Sequence, residues 1–183
     1  LQYIADGIKI KSAEADAMYA GIVIDTNNFT NQTGVRTFEA AAFLRRNGAD
    51  VTRVRKLFRD DMQDYKARAA AISSAEIYRE AFSIGVCPSE GLPSPTIVCA
   101  QAANELLEIK GIKASVVMTE YHGLIYLSAR SIDEVNVQVM MEKLGGGGHR
   151  TIAGAQLSGI SMEEAKDRVK AVIDEMLQKG DIS

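Results

Sequence analysis

The chain has 183 residues, a length that suits one ordinary domain or two small lobes, and its 46% hydrophobic and 25% charged residues with only three prolines exclude disordered and fibrous classes. A formal net charge of -3 excludes a surface that grips duplex nucleic acid through bulk positive charge, though it leaves room for a local basic pocket. Two cysteines without CxxC spacing and two histidines exclude a disulfide framework and a self-contained Cys/His zinc site, no apolar run reaches the ~18–20 residues of a membrane span, and the composition suits a reducing cytoplasm.

The sequence opens at Leu1 inside an apolar-periodic stretch containing Tyr3, Ile4, Ile8 and Ile10 with no capping residue ahead of it, so the N-terminus is expected to be a cut. Helical spacing from Ser12 runs into Gly21–Asp25, an apolar run that periodicity leaves open between helix and buried strand. A polar stretch follows to Gly34. Thr37 is then expected to cap a helix through Phe38, Ala41, Phe43 and Leu44 that ends at Asn47-Gly48, and Asp50 to open a short helix through Val54 and Leu57. An Ala-rich pattern without Gly or Pro predicts a long helix over 62–82. All three prolines, Pro88, Pro93 and Pro95, fall in CPSEGLPSP, which predicts a loop.

Beyond that loop the pattern predicts a strand over 96–99 and a helix over 101–109 stopped by Gly111. A strand pair over 113–120 and 124–129, closed at His122-Gly123, comes next. A helix over 135–144, a strand over 152–157 and a last helix opened by Ser161, with Glu163 and Glu164 in its first turn, complete a small α/β lobe.

The most specific string is Gly145-Gly146-Gly147-Gly148-His149, between a predicted helix and a predicted strand. Successive glycines cost conformational entropy on folding and so need a reason. One reason is a helix C-cap with a close backbone crossing; the other is a nest of bare N–H groups for a phosphate or nucleobase, with His149 adding a donor or a charge. Arg130, at a strand end within Ser128-Ala129-Arg130-Ser131, has the planar fork for a phosphate and hydroxyl neighbours. Asp25 ends an apolar run and precedes Thr26, a placement shared by metal-ligating aspartates and by simple caps. Asp60, Asp61 and Asp64 fit a solvated helix start, and His122 fits a hairpin turn.

GIVIDTNNF at Gly21–Phe29, RTFEAAAFLRRNGAD at Arg36–Asp50, SARS at Ser128–Ser131 and GGGGHRTIAG at Gly145–Gly154 together resemble the DHH phosphoesterases with their C-terminal DHH-associated domain. Within that family the likeness is to the membrane-anchored GGDEF-DHH cyclic-di-AMP phosphodiesterases of Gram-positive bacteria. The resemblance implies an α/β fold: residues 1–61 as the helical tail of a DHH catalytic lobe, 62–82 as a connecting helix, and 83–183 as a DHH-associated, substrate-binding lobe with a mixed sheet. It implies a two-manganese centre with Asp25 as a ligand, and a substrate held by Ser128, Arg130, Ser131, Gly145, Gly146, Gly147, Gly148 and His149. Ile152 departs from the family pattern, which has Ala there.

A two-metal site needs several carboxylate or imidazole ligands. The chain lacks the DHH triplet, so most of those ligands are expected upstream of Leu1 and the chain is expected to be inactive alone. The implied partners are a cyclic dinucleotide or short oligonucleotide and a second copy in a homodimer. Membrane contact is assigned to upstream helices that anchor the full-length protein. Two alternatives stay open: a nano-RNA exonuclease or adenosine bisphosphate phosphatase of the same family, and an RNA-binding module like those that follow alanyl-tRNA synthetases.

Overall fold

The computed structural model describes residues 7, 9–30 and 32–180, in two compact units, Leu1–Asp60 and Asp61–Ser183. The stretch over Tyr3, Ile4 and Ile8 lies outside the described residues.

In the first unit, α1 (Ser12–Asp25), α2 (Val35–Arg46) and α3 (Val51–Leu57) surround a small core of Ala15, Leu44 and Ala49, with Ile10, Tyr19 and Ile22 packed against it. The ambiguous Gly21–Asp25 run is the last part of α1. A core this small needs polar fastening, which Asp16 supplies. Its carboxylate accepts the Asp50 N–H at 2.6 Å and the Arg53 Nε at 2.7 Å, and the Arg53 hydrogen bond draws its pKa below the ordinary value. Asp50 caps α3 by accepting from the Thr52 and Arg53 N–H groups, as expected. Thr37 does not cap α2: the helix starts at Val35 after Gly34, and Thr37 instead accepts the Gly34 N–H from inside the first turn.

The second unit contains α4 (Met62–Ser73), β1 (Glu76–Tyr78), β2 (Phe82–Val86), α5 (Pro95–Leu106), β3 (Ala114–Tyr121), β4 (Leu124–Ser131), α6 (Val137–Glu142), β5 (Gly147–Gly148), β6 (Ile152–Ser158) and α7 (Met162–Lys179). The six strands form one mixed sheet in the order β1-β2-β3-β4-β6-β5, in which β2 and β3 are parallel and the other pairs antiparallel.

Two expectations are corrected here. The helix expected over 62–82 stops at Ser73: the Ser74 hydroxyl turns back on the Ala70 carbonyl at 2.8 Å, and the residues beyond form β1 and β2. Ile77, Tyr78, Phe82 and Ile84 suit a pleated surface, and the sheet rewards them with a ladder that local propensity did not weigh. The strand expected over 96–99 belongs to α5. Pro95 is at its first position, where a missing N–H costs nothing, and Val98, Cys99, Ala102, Ala103 and Leu106 fall on one buried face.

On one side of the sheet Ile84, Val116, Met118, Ile125 and Leu127 pack with α6 and α7 through Met140, Met141, Val169, Ile173 and Met176. On the other side α4 and α5 cover β2, β3 and part of β4, with Ala67, Ala71, Cys99, Ala103 and Leu106 around Val117. Buried Ser115 lies on that side and donates its hydroxyl to the Ala103 carbonyl at 2.6 Å. Ser161 and Glu164 close a capping box at the start of α7, and Gly180 ends it at φ 72°.

The glycine run follows α6. Gly145 takes φ 79°, the left-handed residue that stops the helix, and β5 then lies on β6 at very short range. A Cβ on Gly146 would stand 2.1 Å from the Gly154 carbonyl oxygen, and one on Gly148 would stand 2.5 Å from the Ala153 Cα. A Cβ on Gly147 would meet nothing. We therefore expect Gly146→Ala and Gly148→Ala each to destabilise the fold by about 1–3 kcal/mol, the cost of overpacking, with Gly147→Ala close to neutral in the same thermal melts. Equal melting temperatures for all three would contradict the close approach.

Candidate functional site

The site is built on the alternation of β4. Ile125, Leu127, Ala129 and Ser131 point to the α6 and α7 side, so Tyr126, Ser128 and Arg130 occupy the opposite face. Register extends each of them across the sheet. Arg130 pairs with Ile152, Ser128 with Gly154 and then Gly147, and Tyr126 with Gln156. Directly paired residues of an antiparallel ladder project to the same face, so three parallel rows lie side by side. Ile152 and Gln156 are exposed, so the face is open at β6, while α4 and α5 cover β2, β3 and part of β4.

Arg130 is held in place. Its Nε donates to Asn104 Oδ1 on α5 at 3.1 Å and its Nη1 donates to the Ala129 carbonyl at 2.9 Å, which leaves the Nη2 donors uncommitted among the described residues. Partial burial pulls its pKa below the ordinary guanidinium value, the mark of a cation stripped of some of its water. A guanidinium oriented and partly desolvated in this way is suited to a phosphate oxygen. Beneath it, burial pushes the Cys99 thiol up to about 12, against a hydrogen bond from Ser128, and pushes the Cys87 thiol to about 11. Both thiols are protonated at neutral pH and neither can serve as a nucleophile there.

The predicted substrate residues are not all brought together. Ser131 is on the far side of the sheet from Arg130, buried, and its hydroxyl donates to the Val135 carbonyl at 2.6 Å; a strand's period of two separates residues 130 and 131. That corrects its expected role. The nest of free N–H groups is also corrected. Gly145 donates to Glu142 O, Gly146 to Met141 O and His149 to Ile152 O, at 3.0, 2.8 and 2.7 Å. Because His149 and Ile152 exchange backbone bonds, the next pair, Gly148 and Ala153, is the non-bonded kind, and the Gly148 N–H is turned to the outer edge of the sheet. The backbone thus offers one outward donor at Gly148 rather than a cradle. The His149 imidazole is exposed and makes no hydrogen bond among the described residues.

An open cleft of about 540 Å³ adjoins the glycine run and is lined by Tyr126, Gln156, Gly145, Gly146 and Gly154. Sequence reading missed Tyr126, Gln156 and Asn104. Tyr126 could have been found by counting back in twos from Arg130; Gln156 needs the strand register, and Asn104 needs the packing of α5.

In the first unit, Asp25 is exposed at the last residue of α1, where a carboxylate opposes the negative end of the helix dipole. Thr26 behind it is buried and ties the turn, donating to the Ile22 carbonyl at 2.6 Å and accepting the Phe29 N–H at 2.9 Å. The chain then passes through Asn27, Asn28 and Phe29 at φ 44°, 57° and 65°, a run of left-handed residues that is costly without glycine. No group of three His, Cys, Asp or Glu able to hold a metal occurs among the described residues, so they do not make a metal centre and Asp25 offers a single carboxylate. Among those residues no helix is long and apolar enough to cross a membrane.

The DHHA1 domain family matches residues 94–179. The chain is 42% identical over 182 residues to cyclic-di-AMP phosphodiesterase GdpP of Bacillus subtilis, covering 98% of this chain and 28% of that protein. It is 41% identical over 174 residues to cyclic-di-AMP phosphodiesterase PdeA of Listeria monocytogenes, covering 94% of this chain and 26% of that protein. The chain therefore spans about a quarter of the length of these curated relatives. An exopolyphosphatase-related protein from Bacteroides fragilis shares the fold, with a TM-score of 0.81 and 22% identity over 91% of this chain and 51% of that one.

The buried thiols supply a direct check. In the native chain at pH 8 a disulfide reagent should find no fast-reacting cysteine, and both Cys87 and Cys99 should react after denaturation; a rapid native thiol would contradict their burial and raised pKa values.

Proposed function

Residues 94–179 belong to the DHHA1 domain family, and from that premise we propose that this chain is the substrate-holding part of a phosphodiesterase that hydrolyses cyclic-di-AMP to linear pApA. The observation that carries the reading is the open sheet face on which Arg130, anchored by Asn104, stands beside Ser128 and the bare Gly154 and Gly147. The likeness over nearly the whole chain to cyclic-di-AMP phosphodiesterases of Bacillus subtilis and Listeria monocytogenes supports the choice of substrate.

Hydrolysis joins a water oxygen to phosphorus and breaks the P–O3′ bond, with the water proton passing to the leaving 3′ oxygen. In this reading Arg130 binds the phosphate through Nη2, Ser128 lines the approach beside it, the Gly148 N–H adds a neutral donor, and His149 adds a donor at the rim. Gly145 and Gly146 shape the floor, and the small side of the Ser128–Gly154–Gly147 row lets the ligand approach the backbone. Manganese is the proposed metal of the complete protein, where it supplies Lewis-acid chemistry, and Asp25 is the one ligand proposed from this chain. Residues 1–60 are proposed as part of the metal-bearing domain and residues 61–183 as the substrate-binding one, which folds α4 into the second unit rather than leaving it a connector.

Calorimetric titration of the chain with cyclic-di-AMP tests the reading. Arg130→Gln should weaken binding roughly 10- to 100-fold, the loss of a hydrogen bond to a charged group, at an unchanged melting temperature. Ser131→Ala should do the reverse, lowering the melting temperature and sparing affinity. Unchanged affinity in Arg130→Gln would refute the site. In the full-length protein, faster turnover of a short oligoribonucleotide or of adenosine 3′,5′-bisphosphate than of cyclic-di-AMP would move the assignment to the exonuclease or phosphatase reading.

A further inference from the structure

We propose that the Tyr126–Gln156 row is a nucleobase subsite that selects adenine, with the Tyr126 ring as the stacking surface and the Gln156 amide reading the edge of the base. The inference rests on the phosphate-holding role of Arg130 given above and adds what determines the base.

The first support is spacing. On β4, Tyr126, Ser128 and Arg130 are separated by two residues each, which places neighbouring rows roughly 7 Å apart. A ligand that sets its phosphate against Arg130 therefore lays its ribose over the middle row and brings its base to Tyr126. That middle row is Ser128, Gly154 and Gly147, the lowest part of the face. Packing explains most of the glycines nearby: Gly146, Gly148 and Gly154 have backbone atoms within 2.8 Å of where a Cβ would stand, and Gly145 needs its φ of 79°. Gly147 has neither reason, since its Cβ would meet nothing. Clearance above the row for a ligand accounts for a glycine that packing does not require.

The second support is the cleft itself. It lies at the Tyr126–Gln156 end of the rows, and its volume of about 540 Å³ is within the range of small-molecule sites. Tyr126 is half-buried, with its ring centroid 6.3 Å from that of Tyr121 at a tilt of 56°, so a neighbour on the same face steadies the stacking surface. Gln156 is exposed and its amide makes no hydrogen bond among the described residues.

The third support is the chemistry of the amide. A glutamine presents one acceptor and one donor side by side, which pair with the N6 amine and N7 of adenine. On that same Hoogsteen edge guanine presents O6 and N7, both acceptors, and sets one of them against the glutamine oxygen. Arginine, with two parallel donors, has the opposite preference.

The test is titration of the chain with cyclic-di-AMP and with cyclic-di-GMP, for the parent, Gln156→Ala, Gln156→Arg, Tyr126→Leu and Arg130→Gln, with a thermal melt of each. The parent should prefer the adenine dinucleotide by roughly tenfold or more, Gln156→Ala should bring the ratio towards one, and Gln156→Arg should turn it towards guanine. Tyr126→Leu should weaken both dinucleotides roughly tenfold, since stacking is indifferent to the base. Gln156 is exposed, so its variants should melt with the parent. An adenine-to-guanine ratio unchanged in both Gln156 variants, with Arg130→Gln still weakening binding, would overturn the base subsite and leave the proposed function standing. Arg130→Gln binding as tightly as the parent, or no binding of cyclic-di-AMP by the parent, would overturn both.

Discussion

The open face of the second unit depends on how closely the backbone of residues 146–148 lies against β6. Side chains at Gly146 or Gly148 would collide with main-chain atoms of residues 152–155, so glycine there is a condition of the pairing. That pairing fixes Gly147 opposite Gly154, and Gly154 is itself opposite Ser128. A one-residue slip would carry Ala153 or Ala155 to the open face and close the low row. The glycine run thus acts first as a register device, and the ligand role proposed for it follows from what the register exposes.

The polar groups around that face are held from behind. α5 lies across β3 and β4 and leaves β6 uncovered, which brings Asn104 to the Arg130 guanidinium and Cys99 to Ser128. An arginine free to swing loses rotamer entropy when it binds; one already fixed through Nε and Nη1 has lost that freedom on folding. Arg150, four residues after Gly146, is spent differently: it binds Asp133 through Nε at 3.0 Å and the Asp133 carbonyl at 3.1 Å, closing the loop before α6. Two arginines near the same loop therefore divide into one that fastens the fold and one that faces out.

Much of this was legible in the sequence where a signal was local. The His122-Gly123 hairpin, the Asp50 cap, the Ser161 capping box and the strand at Ile152 each rest on a few adjacent residues, and each is present. The helix expected over 62–82 failed because β1 is three residues long and exists only through its partner β2, which no periodicity reveals. The β-branched Thr96, Ile97 and Val98 concealed the start of α5, although Pro95 marked it. At the site, SARS and the glycine run were visible as motifs, but strand alternation removes Ser131, and the use of N–H groups inside the fold removes most of the nest. Gln156 and Asn104 carried no motif at all, since their position beside Tyr126 and Arg130 comes from register and packing.

The central claim is that a dinucleotide lies along the Arg130, Ser128 and Tyr126 rows. A crystal structure of the chain with cyclic-di-AMP tests it most directly. The account predicts a phosphate oxygen within hydrogen-bonding distance of Arg130 Nη2, a ribose over Gly154 and Gly147, and an adenine stacked on Tyr126. A dinucleotide bound with its phosphates away from Arg130, or with both bases remote from the Tyr126–Gln156 cleft, would contradict it.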